Sequence, residues 1–87
     1  EMWQELWDYL LDAEQDMESA YQQQEWERLR GTAHAIKGMG ASYGEPQMTQ
    51  VAEDLEKTAP SADLTLIDPP YQRLLTLLKE KNPNHTA

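Results

Sequence analysis

The stretch Arg30-Gly31-Thr32-Ala33-His34-Ala35-Ile36-Lys37-Gly38-Met39-Gly40-Ala41-Ser42-Tyr43-Gly44 decides what kind of molecule this chain makes. Turning about 100° per residue places Trp26, Leu29, Ala33, Ile36, Gly40 and Tyr43 in one stripe, the face expected to enter a core. His34 is off that stripe. Its neighbours at three, four and seven positions are Gly31, Arg30, Lys37, Gly38 and Ala41, so the imidazole is expected on the solvent side, with glycine on either flank and a cation one turn along. Each interior glycine costs a helix roughly 1 kcal/mol of propensity, so several in one segment call for a reason.

Working outward from this segment, a helix is expected over residues 24–43. Gly44 stands where a left-handed residue ends a helix, and Pro46 suits the first turn of the next. Before it, Trp3, Leu6, Trp7, Leu10, Ala13, Met17 and Ala20 recur at three and four residues and predict an amphipathic helix over 2–21. Its acidic residues are expected on the solvated sides, and the polar run Tyr21-Gln22-Gln23-Gln24 as a connection. After it, Met48, Val51, Ala52, Leu55 and Ala59 mark a third helix over 46–58, closed by Pro60, with Glu53 and Lys57 as a four-residue charge pair. Residues 61–67 read as a loop or an irregular helical turn. Asp68-Pro69 gives a capping and first-position signal for a fourth helix carrying Tyr71, Leu74, Leu75, Leu77 and Leu78, with Lys79 and Lys81 near its end. The expected fold is an all-α, antiparallel up-and-down four-helix bundle over residues 1–82, followed by a flexible tail at 83–87.

Eighty-seven residues suffice for one core and no more, and without cysteine there is neither a disulfide framework nor a thiolate zinc site. Seven basic against sixteen acidic residues give a formal charge of -9, which disfavours nucleic acid and anionic lipid as partners. No apolar run reaches the length of a membrane span and no basic start precedes an apolar segment, so no direct membrane contact and a cytoplasmic setting are expected. The start at Glu1 suggests a domain cut from a longer protein.

Histidine chemistry needs coordination partners, a nucleophile to activate, or a ring nitrogen used directly. The other histidine, His85, lies in the tail, so metal is not expected. Ser42 lies about 12 Å along the helix from His34 at 1.5 Å per residue, too far for a serine–histidine pair. Direct use of the ring remains: a neutral imidazole can attack phosphorus. Small residues at Gly31, Gly38 and Ala41 would let another protein's active site close over it, and Lys37 or Arg30 could offset arriving charge. The competing reading is a helical protein-docking module, with His34 an incidental surface histidine and the glycines serving close helix packing.

The string Ala33-His34-Ala35-Ile36-Lys37-Gly38, followed by Gly44, resembles the signature of histidine-containing phosphotransfer (HPt) domains, phosphorelay modules found in hybrid sensor kinases of bacteria. Glu25 to Leu29 resembles the segment leading into that family's active helix, and Gln50 to Glu56 the helix that follows. The resemblance implies that His34 is the phosphoacceptor, Lys37 the phosphate-neighbouring lysine, Gly38 the glycine that keeps the ring accessible and Gly44 the turn glycine. Glu56 falls where members place a glutamine or glutamate able to hydrogen-bond near the histidine. It also implies a receiver domain of a hybrid sensor kinase and a cognate response regulator as partners, with magnesium in the receiver and no cofactor in this domain. The chain would then be a monomeric protein substrate without kinase activity of its own, at the cytosolic end of an inner-membrane sensor kinase. Tyr43 either packs into the core or covers an edge of the docking face. The Arg28, Arg30 and Lys37 surface is expected to be less negative than the rest.

Overall fold

The computed structural model describes residues 2–82, and over these the chain forms four helices and no strand. Helix α1 spans Met2–Gln22, α2 Trp26–Ser42, α3 Pro46–Thr58 and α4 Leu64–Lys81, with a 3-10 turn at Ala59–Ser61 between the last two. Each helix packs on its neighbours in the chain and α4 closes back on α1, giving an antiparallel up-and-down bundle of 38 × 24 × 17 Å. The side chain of Trp3 and the tail 83–87, with His85, lie outside what the structure describes.

The first two turns are the same device. Gln24, with φ 57°, and Gly44, with φ 72°, are left-handed residues just past a helix end. The following amides reach back to the last turn, Glu25 N–H to the Ala20 carbonyl at 2.9 Å and Glu45 N–H to the Gly40 carbonyl at 2.8 Å. This is the six-to-one bond of a Schellman turn, which satisfies carbonyls that the helix end would otherwise leave open. Gly44 adopts the conformation without a Cβ penalty, whereas Gln24 holds it at a cost of about 1 kcal/mol. Helix α1 therefore runs to Gln22, into the expected connection, and α2 starts two residues later than its pattern suggests.

The core is formed where the stripes meet: Leu6, Leu10 and Met17 of α1, Leu29 and Ile36 of α2, and Leu55 of α3 are all essentially inaccessible. Trp26 and Tyr43, at the ends of the α2 stripe, are half-buried and pack against the rim of the core. One acidic residue departs from the solvated side. Glu14 is buried, because positions 10, 14 and 17 continue one helical stripe.

The start of α4 corrects the expectation of a loop over 61–67. Asp63 caps the helix: its carboxylate accepts from the Thr65 amide at 3.0 Å and from the Thr65 hydroxyl at 2.7 Å. Pro69 and Pro70 then lie inside the helix rather than opening it. Proline lacks the N–H that the carbonyls of Thr65 and Leu66 would receive, but both residues are exposed and water can serve them. What carries the chain through is burial. Ile67, Tyr71, Leu74 and Leu78 form one helical stripe, and Ile67 reaches the core only if the helix begins before it.

Candidate functional site

His34 stands midway along α2 on the side away from the core, with 64% of its side chain exposed. The three-residue connection 43–45 sends α3 back along α2, and Glu56 arrives beside the ring. Its Oε2 lies 2.8 Å from His34 Nδ1 and its Oε1 lies 2.7 Å from Lys37 Nζ. One carboxylate thus spans a histidine and a lysine one turn apart on the neighbouring helix. The Lys37 ammonium beside it, and then the hydrogen bond from His34, hold the Glu56 carboxyl below its ordinary range against the opposing effect of desolvation.

This geometry fixes the proton on the ring. An ionised carboxylate only accepts hydrogen bonds, so Nδ1 is the nitrogen that carries hydrogen, and the neutral ring has its lone pair on Nε2. The nitrogen not held by Glu56 is the one able to act as a nucleophile.

The glycines divide by role. A Cβ built on Gly31 or Gly38 would meet nothing within 4 Å, so both leave open space on either side of His34. A Cβ on Gly40 would lie 2.6 Å from Thr49 Oγ1, 3.2 Å from the Thr49 nitrogen and 3.3 Å from the Glu45 carbonyl oxygen. Close helix packing therefore explains Gly40 and not Gly31 or Gly38. Ala41 is exposed about two turns beyond the ring, and Gly44 ends the helix rather than entering the site.

The three cations expected to lighten the local charge each already hold a carboxylate. Arg28 pairs with Asp16 and Glu25, Arg30 with Glu27 and Lys37 with Glu56. With four carboxylates on three cations, the face is not basic. Arg28 points to α1, away from His34, whereas Arg30, one turn before His34, pairs along its own helix, with Nε donating to Glu27 Oε2 at 2.9 Å. The pairing with Glu27 was legible as a three-residue helical spacing and went unread in the sequence, as did the contact of Gly40 with Thr49, for which a sequence carries no signal.

Among the described residues no group of three or more His, Asp or Glu is placed to hold a metal ion, and no helix is long and apolar enough to cross a membrane. The model of the family described as Hpt domain matches residues 1–81. No curated protein and no solved structure gives a significant match.

Proposed function

The chain belongs to the Hpt domain family, and from that premise we propose that His34 is its phosphoacceptor, taking a phosphoryl group from a receiver-domain aspartate and yielding it to the aspartate of a response regulator. Hpt domains serve histidine phosphotransfer in phosphorelays, interact with receiver domains and response regulators, and carry no cofactor. The observation that carries the assignment of His34 is the bond from its Nδ1 to Glu56, which leaves Nε2 with the lone pair on an exposed face.

In the forward step Nε2 attacks the phosphorus of the receiver's aspartyl phosphate. The new P–N bond forms as the P–O bond breaks, and its electron pair returns to the aspartate as a carboxylate. The ring keeps its Nδ1 proton and becomes cationic, and Glu56 at 2.8 Å offsets that charge without having to move. Transfer onward reverses the step at a second aspartate. Lys37 secures the other oxygen of Glu56, so that the carboxylate stays on Nδ1. Gly31 and Gly38 leave the approach to Nε2 open. Magnesium and the acidic residues that bind it belong to the receiver. The same reading takes the donor to be the receiver of a bacterial hybrid sensor kinase, with this domain working as a monomer in the cytosol.

Mixing the purified chain with a phosphorylated receiver of the same pathway tests the assignment. Acid-labile, base-stable label is expected on the chain and absent from His34→Gln of unchanged helicity. Label retained by that variant refutes the role of His34, and a chain that accepts no label from any receiver of its pathway speaks for the docking-module reading.

A further inference from the structure

Glu56 ties His34 to Lys37. A second charged pair on α2, Arg30 with Glu27, lies one and two turns before the ring. Arg30 sits four residues before His34 on the same helix, so their Cβ atoms are about 6 Å apart along one face. Its Nε and Nη2 both converge on a single oxygen of Glu27, Oε2, the former at 2.9 Å. Glu27 is 78% exposed and Arg30 39%, so water competes for the pair and little holds it together. Bonded to Glu27 three residues back, the guanidinium is turned toward the start of α2, and the Glu56 carboxylate acts on it at longer range.

We propose that Arg30 is the phosphoryl-binding cation of the phosphorylated domain and that Glu27 is its resting partner, exchanged for phosphoryl oxygens when His34 carries the group. The proposal rests on His34 being the phosphoacceptor. A phosphoryl group on Nε2 brings a charge of about -2 and three acceptor oxygens to the face where Arg30 lies. Lys37 is the poorer candidate. It holds Glu56 at 2.7 Å in a more sheltered pair, and moving it would release the carboxylate that fixes Nδ1. Arg30 gives up only an exposed carboxylate, and its planar fork can meet two phosphoryl oxygens at once. The absent side chain of Gly31, next to Arg30, leaves room for the swing. Glu27 thereby acts as a competitor for the phosphoryl group, tuning how readily the domain holds it or passes it on.

Phosphoramidate serves as donor, so that docking to a receiver does not enter the measurement. Nε2 takes the phosphoryl group as the donor's P–N bond breaks and ammonia leaves. The phosphorus resonance on His34 is then titrated by NMR in the parent chain, Arg30→Gln, Glu27→Gln and the double variant. Arg30→Gln is expected to raise the midpoint of that titration, and Glu27→Gln to lower it. In equilibrium with a receiver, the phosphorylated share should fall about two- to threefold in the first and rise by a similar factor in the second. Most of the Glu27→Gln effect should vanish when Arg30 is also replaced. An unchanged midpoint in Arg30→Gln overturns the proposal, as does a Glu27→Gln effect of equal size with and without Arg30. Failure of the underlying reading looks different, since a phosphorylated receiver of the pathway would then label His34→Gln as well as the parent chain.

Discussion

Glu56 uses its two oxygens for two different tasks, orienting a histidine with Oε2 and holding a lysine with Oε1. Replacing it with glutamine keeps a carbonyl acceptor for Nδ1–H and removes the charge that answers the cationic ring. A charge-assisted hydrogen bond exceeds a neutral one by about 1 kcal/mol, so Glu56→Gln should slow transfer to His34 roughly fivefold in single-turnover measurements with a phosphorylated receiver. The same residue predicts a pH effect. A carboxyl held below its ordinary value of 4.5 adds stability that is fully present above that value and is lost as pH falls through its lower native value. The gap in melting temperature between the parent chain and Glu56→Gln should therefore be constant near neutrality and close in acid. A gap that widens on acidification would contradict the sign. At this scale His34, Lys37 and the flanking glycines could be picked out from the string alone, because helical spacing fixes which neighbours a residue on one helix has. Glu56 came only from the family resemblance, and Glu27 was missed although it lies on the same helix.

The α2–α3 hairpin is the element on which the site depends, and its glycines predict opposite outcomes. Gly38 faces open space, so Gly38→Leu should leave stability unchanged or raise it by about 0.5–1 kcal/mol of helix propensity, while cutting transfer about tenfold by filling the approach to Nε2. Gly40 faces Thr49 and the Glu45 backbone, so Gly40→Ala should destabilise by about 1–3 kcal/mol through overpacking. Urea denaturation of both variants, set beside transfer assays, separates the two roles. Helical spacing already puts Gly40 on the core stripe and Gly38 beside His34, and the second helix supplies what Gly40 meets there. Helix α4 teaches the same lesson from the other side. Local chemistry at Asp68-Pro69 argued for a helix start, yet Ile67 needed the core and Asp63 supplied an alternative cap, so tertiary burial overrode the proline signal.

Across the whole molecule, the bundle is closed by contacts between its first and last helices. The Asn82 side chain, 3% exposed at the end of α4, donates to the Trp7 carbonyl of α1 at 3.0 Å, and Lys79 approaches Glu18 of α1 at 3.9 Å. Asn82→Ala should cost about 1 kcal/mol with an unchanged urea slope, because it removes one buried hydrogen bond without altering the surface exposed on unfolding. The Lys79–Glu18 pair is exposed and its loss should be hard to detect. The amino-acid sequence by itself determined that this chain makes helices with greasy stripes and short links, and that one of them carries an exposed histidine between glycines. Those properties follow from periodicity and from turn residues such as Gly44, which act over a few positions. Only the tertiary structure decided that Glu56 meets both His34 and Lys37, that Gly40 packs against Thr49 and the Glu45 backbone, that Glu14 is buried, and that α4 begins at Leu64. Each of these depends on which surface of a second helix lies opposite, and that is set by how the stripes pack together rather than by the spacing within any one of them.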